Sequence, residues 1–253
     1  MIDLIKAEDE FKKYTQNYDM QLDGIERKYN HSFRVMKISK EIAENLKLNE
    51  EQIQLATLIG LLHDIARFEE FTRFRAFSSK NEFDHGDYAL EILKKDSFIR
   101  KFIETDKYDD IIFTAIKNHN KFKIEDGLDE NTLLYCKIIR DADKIDIFYE
   151  GATIFWDTQK EEMENSEISD SYFEQFMKKQ VIFRVPNQTK LDSVIVFAAF
   201  IFDINFKYSF EILKKENYIN KILNRFNFEK TETLERINKI REVSNDFINQ
   251  KCV

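Results

Sequence analysis

The sequence predicts an all-α fold, and three observations predict it. Only five glycines and one proline occur in 253 residues, and these are the residues that punctuate strands and tight turns. Charged residues make up 34 % of the chain, a density that long helices with a solvated face accommodate. Apolar residues recur at helical spacing in several places along the chain.

Taken in order, the elements follow from that spacing. Residues 1–10 carry acids among their apolar positions and have no apolar run of signal-peptide length, so no secretory leader is expected. His31, Val35, Ile38 and Ile42 lie at i, i+4, i+7 and i+11, which sets the first histidine in line with the core residues of one helix. Leu55, Leu58, Ile59 and Leu62 lead into His63 and Asp64, placing that pair in the inner, C-terminal part of a second helix. Asp84 is a fitting N-cap for a third, with His85 in its first turn and Ala89, Leu90 and Leu93 following. Asp109 and Asp110 open a fourth, in which Ile111, Ala115 and His119 share a face. A fifth runs from about residue 131 through Ile139, Ala142 and Asp143 to Phe148.

Beyond Gly151 the texture changes. Residues 159–171 are polar and acidic, which reads as a loop or an exposed helix. Pro186, followed by Asn187 and Gln188, is placed to open another helix. The apolar stretch 194–202 ends at Asp203 after nine residues, far short of the ~20 that a membrane helix needs, so it is expected as a buried core helix. Residues 231–251 read as a final amphipathic helix. The organisation expected is a helical domain over residues 1–150 and a C-terminal helical extension over 151–253 packing on the same domain. The extension holds no histidine and is read as packing, pocket wall or oligomer surface, which leaves a homo-oligomer open.

Net charge is −8, which argues against bulk nucleic acid as a partner, because phosphate backbones demand basic surfaces. Cys136 and Cys252 are too few for a disulfide framework and fit a reducing cytoplasm. No glycine-rich phosphate loop, no Gly-x-Ser-x-Gly elbow and no cysteine cluster appears. What remains is a set of metal-competent groups: all four histidines fall in the first half, each on a different helix, and a helical bundle can bring such distant groups to one point. Imidazoles and carboxylates together suit Mn, Fe, Co, Ni or Zn. Arg67, four residues after His63, would stand on the same helix face one turn on, and Lys144 follows Asp143 directly; either can hold a phosphate oxygen. Arg73, Arg75 and Lys80 precede His85, while Lys121 and Lys123 follow His119, so the cations gather near the histidines of an acidic chain and favour a small anionic substrate.

His31, the adjacent pair His63-Asp64, and Asp143 within Asp-Ala-Asp-Lys come in the order that marks the HD-domain superfamily of metal-dependent phosphohydrolases, which this chain resembles over about residues 28–148. The Leu-Leu-His-Asp-Ile and Ala-Asp-Lys contexts are similar to the family's own. The resemblance implies an all-α HD-domain bundle in which His31, His63, Asp64 and Asp143 bind one divalent ion. His85 and His119 stand where the binuclear branch carries two further ligands, and a bridging Asp64 would serve both ions, so one or two ions are implied. The paired histidines and Gly-Tyr-Pro signature of the cyclic-dinucleotide phosphodiesterases are missing. The expected activity is hydrolysis of a small phosphorylated compound, a nucleotide foremost, by a metal-bound hydroxide, with Asp64, Arg67 and Lys144 as the catalytic residues. Two alternatives share the residue set: a di-iron oxygenase similar to inositol oxygenase, and a non-catalytic module that senses a nucleotide.

Overall fold

A computed structural model describes residues 1–77, 83–185 and 188–253, and every regular element among them is helical. The chain divides into two compact units, Met1–Asp143 and Lys144–Val253. The boundary falls inside a helix, not after one.

In the first unit, α1 (Leu4–Thr15) starts at Asp3, whose carboxylate accepts from the Lys6 backbone N–H, and it buries Ala7, Phe11 and Thr15, one turn apart, on a single stripe. Phe11 meets Phe33 and Phe68 edge-on, each at 5.8 Å, and burying such a ring contributes about 1.5–3 kcal/mol. Next, α2 (Asp23–Asn45) carries the His31 stripe inward. A capping box between Asn49 and Gln52 opens α3 (Glu50–Leu62), and its loss would cost about 1 kcal/mol. The two helices touch at Gly60, where a Cβ would lie 2.7 Å from Ser39 Oγ and 2.9 Å from Met36 Cα. Only a glycine permits that approach.

The chain departs from expectation directly after Leu62. His63 is the C-cap of α3, and residues 63–66 form a turn closed by short bonds from Ile65 N to Leu62 O and from Arg67 N to Asp64 O. Arg67 therefore begins a new helix, α4 (Arg67–Phe74), and does not share a helix with His63. Every residue from Leu55 to Ala66 is buried, so no polar face marks the break in the sequence. Tyr14 on α1 pins the turn by donating to the Ile65 carbonyl at 3.1 Å.

The Asp84 cap forms as the sequence predicts, accepting from the N–H groups of Gly86 and Asp87 at the start of α5 (His85–Lys94). A 3₁₀ segment, Lys95–Lys101, follows, with left-handed backbone at Asp96 and Ser97. Then α6 (Asp109–Asn118) ends one residue short of His119, which caps it. The last helix of the site, α7 (Glu130–Thr153), is longer than expected at its C-terminal end.

The second unit takes the remainder of α7 and then α8 (Lys160–Glu164), α9 (Asp170–Met177), α10 (Lys190–Ala199), α11 (Lys207–Glu216), α12 (Tyr218–Leu223) and α13 (Thr231–Lys251). The polar stretch 159–171 yields the short α8, which still buries Met163. Pro186 and Asn187 lie outside the described residues, as does Lys80. The α10 helix instead opens at Thr189, in a capping box with the buried Asp192. Asp192 also ties down Ser169, accepting from its N–H at 2.8 Å and its hydroxyl at 2.6 Å. Val194, Ile195, Val196, Ala198, Ala199 and Ile201 are buried. Among the described residues no helix is long and apolar enough to cross a membrane.

Candidate metal centre

Five helices deliver the six candidate ligands. His31 points inward from the middle of α2, His63 and Asp64 from the break after α3, His85 from the first residue of α5, His119 from the cap of α6 and Asp143 from α7. His31, His63, Asp64 and His119 are buried. The structure brings all six together.

They fall into two groups that share one residue. His31 Nε2 and His63 Nε2 are 3.2 Å apart, and they stand 3.3 and 3.5 Å from Asp64 Oδ2. Asp143 Oδ1 closes this group at 3.2 Å from His31 Nε2 and 3.7 Å from His63 Nε2. On the other side, His85 Nε2 and His119 Nε2 are 3.1 Å apart and lie 3.6 and 3.5 Å from Asp64 Oδ1. The Asp64 carboxylate thus presents one oxygen to each histidine pair.

The protonation pattern favours ligation. His63 Nδ1 lies 2.8 Å from the Gly60 carbonyl and His119 Nδ1 lies 2.6 Å from that of Ile116. A carbonyl only accepts, so Nδ1 carries the proton and the Nε2 lone pair faces the centre; such fixing of tautomer and ring orientation is what a metal-bound imidazole needs. Burial lowers the pKa of His63 despite the neighbouring Asp64 and Asp143, and burial together with the Arg67 cation holds that of His85 well below the ordinary histidine value. Burial pushes Asp64 the other way, but Lys28 and the surrounding imidazoles outweigh it and hold the carboxyl well below its usual range.

Lone pairs and carboxylate oxygens therefore converge on one another. Asp64 Oδ1 is buried without a hydrogen-bond donor, an arrangement that costs about 1–3 kcal/mol when left so. Divalent cations held by the histidine pairs and Asp64 would resolve it. On this observation the residues fit a metal: His31, His63 and Asp64, with Asp143 beside them, would hold one ion, and Asp64, His85 and His119 a second.

Several neighbours were not visible as site residues in the sequence. Lys28 Nζ donates to Asp64 Oδ2 at 2.7 Å, from a side chain only 10 % exposed. Its signal was position: it lies one turn before His31 on the buried stripe of α2. Asn120 donates to Asp84 Oδ1 at 2.9 Å and sits 3.4 Å from His85 Nδ1. Arg140 holds the chain around His119 by donating to the carbonyls of Asn118 at 2.8 Å and Lys121 at 2.6 Å. Contacts to backbone carbonyls leave no residue pattern to read.

The cations singled out in the sequence separate into two sets. Arg67 faces the centre, with Nε 3.6 Å from Asp64 Oδ1 and Nη1 donating to Glu70 at 2.6 Å. Lys144 pairs with Asp203 at 2.8 Å. Arg73 pairs with Glu69, Lys121 with Asp84 and Asp87, and Lys123 with Asp126. A cavity of about 970 Å³, bounded by Tyr14, Tyr88 and Phe98 among others, holds none of the six ligands.

Four imidazoles and two carboxylates gathered from five helices define an all-α protein with a histidine–aspartate cluster that could hold metal. Residues 29–147 match the family model of the HD domain, which makes that segment an HD domain. Neither a curated protein nor a solved structure matches the chain. HD domains form a superfamily of metal-dependent phosphohydrolases, and the matched segment spans His31, His63, Asp64, His85, His119 and Asp143.

Proposed function

We propose that the protein is a metal-dependent phosphohydrolase with a two-ion centre, acting on a small phosphorylated compound, a nucleotide foremost. One observation carries the reading: Asp64 turns its two oxygens towards two separate histidine pairs. Two divalent ions held there would polarise a phosphoryl oxygen and lower the pKa of water.

The chain's own residues supply the rest. The carbonyls of Gly60 and Ile116 fix the rings of His63 and His119, so the ligands meet a cation without rearrangement. Arg67, oriented by Glu70, presents its guanidinium edge beside Asp64, where it can take a phosphoryl oxygen through its planar fork. Lys28 holds Asp64 ionised and adds a second positive charge at the same place. Lys144, engaged with Asp203, is left out of the proposal.

The test is a phosphate-release screen over nucleotides and sugar phosphates with protein purified without chelators, repeated after EDTA and after Mn²⁺ addition. Release that needs metal and disappears in Asp64→Asn supports the reading. Iron-dependent O₂ uptake without phosphate release would move the site to the oxygenase branch instead.

A further inference from the structure

His85 is held differently from the ligands beside it. The Nδ1 atoms of His63 and His119 face backbone carbonyls, at 2.8 and 2.6 Å, and a carbonyl only accepts. His85 Nδ1 faces instead the side-chain amide nitrogen of Asn120, at 3.4 Å. An amide offers donors on one side and an acceptor on the other, so its orientation decides which nitrogen of the facing ring keeps the proton.

Asp84 sets that orientation. Its Oδ1 lies 2.9 Å from the same Asn120 nitrogen, and a carboxylate accepts, so the atom between Asp84 and His85 is the NH2 group. One N–H is spent on Asp84 and the other is left for His85 Nδ1. The His85 proton then sits on Nε2, turned towards His119 Nε2 at 3.1 Å, whose lone pair takes it. That pair is satisfied as a hydrogen bond and closed to a cation. Asn120 Oδ1, meanwhile, is buried without a hydrogen-bond partner among the described residues. It presses against Gly86, where a Cβ would lie 2.6 Å from it and 2.9 Å from the Lys117 carbonyl. The amide is thus satisfied on one side only.

We propose that Asn120 is a positioning residue for the second ion: its amide holds His85 as a hydrogen-bond donor in the metal-free chain and turns its carbonyl to the ring when a cation is bound. The inference rests on the two-ion reading above. For His85 Nε2 to give its lone pair to a cation, the proton there leaves to solvent and one arrives at Nδ1, so the imidazole stays neutral. Nδ1–H then needs an acceptor, and a half-turn of the amide supplies Oδ1, the atom that lacks a donor. The NH2 group takes the former place of Oδ1, on the side of the Lys117 carbonyl. Asp84 keeps the N–H groups of Gly86 and Asp87 and the Lys121 ammonium. His63 and His119 need no such turn, so the two ions are expected to bind in order, with the His85 side last.

Long-range ¹H–¹⁵N correlation spectra of the full chain, recorded well above the ordinary histidine pKa, test this with Zn²⁺ as the probe, because ring nitrogens with and without a proton differ in shift. In metal-free protein His63 and His119 should carry the proton on Nδ1 and His85 on Nε2. The second equivalent of Zn²⁺ should move the His85 proton to Nδ1 and leave the other two where they are. Asn120→Asp faces His85 with acceptors only, so Nδ1–H should be present before any metal is added. In calorimetric titration of that variant the second Zn²⁺ should bind about ten-fold tighter or more, and the first should change less than about three-fold; a residue that merely packs would move both together. His85 found with Nδ1–H in metal-free wild type, or a second Zn²⁺ that binds Asn120→Asp no tighter, overturns the assignment. If the variant does not fold, the wild-type spectra decide alone. Failure of the two-ion reading looks different: no second equivalent of Zn²⁺ is taken up, whatever the His85 tautomer, and Asn120 then has no ion to serve.

Discussion

Replacing Lys28 with methionine separates the metal-linked part of its role from packing. Lys28 Nζ stands 2.7 Å from Asp64 Oδ2, and the two side chains are 10 % and 2 % exposed, so solvent screens the pair little. Methionine keeps an unbranched stem and removes the charge. In metal-free protein Asp64 is then a buried carboxylate facing imidazole lone pairs. Removing one partner of a buried pair costs about 3–5 kcal/mol, and at about 2–4 °C per kcal/mol the melting temperature should fall by roughly 6–20 °C. With saturating Mn²⁺ a divalent cation takes the place of the ammonium, and the deficit should shrink to a few degrees. Differential scanning calorimetry of wild type and Lys28→Met, in EDTA and then in Mn²⁺, reads both numbers. A deficit of the same size in the two conditions, or none in EDTA, would refute the coupling of Lys28 to the metal through Asp64.

Other outcomes follow from the same geometry. His63 and His85 have folded pKa values below the unfolded value near 6.5, so the unfolded chain binds more protons just below that pH. Stability of the metal-free protein should therefore fall as pH drops through about 6.5, by up to about 1.4 kcal/mol per pH unit for each histidine. Asp64, also lowered, adds stability above about 3.9 that disappears only as pH falls through its folded value. Urea unfolding at pH 7.5, 6.5 and 5.5 checks the histidine window, and constant stability across it would contradict the assignment. Gly60→Ala should destabilise by about 2 kcal/mol: overpacking against backbone costs about 3 kcal/mol, the upper end of its range, and the helix preference of alanine returns about 1. Met36 Cα, 2.9 Å from the added methyl, is backbone and cannot turn aside. A variant as stable as wild type in thermal unfolding would show that α2 and α3 can part at that point.

Much of the centre was legible because its chemistry needs specific residue types in a specific order. His31, His63, Asp64, His85, His119 and Asp143 could be named from the sequence, and the structure brings those six side chains together. Their local setting was less legible. The buried run 55–66 has no polar face, so the turn at His63 and Asp64 read as helix, and Arg67 was placed on the wrong element. The helix α1 was not foreseen, although Ala7, Phe11 and Thr15 recur at helical spacing, because charged residues crowd the intervening positions. Lys28 looked like any lysine of an amphipathic helix until its partner, 36 residues away, was in view. Arg140 and Asn120 act on backbone carbonyls and on a cap, and such roles depend on where the chain turns.

Elemental analysis of the protein purified without chelators tests the two-ion centre most directly, because Asp64 either serves two ions or one. Two equivalents of a divalent transition metal per chain are expected in wild type, and one in His85→Ala or His119→Ala with His31, His63, Asp64 and Asp143 intact. A wild type that holds a single equivalent, unchanged when His85 and His119 are replaced, would contradict it.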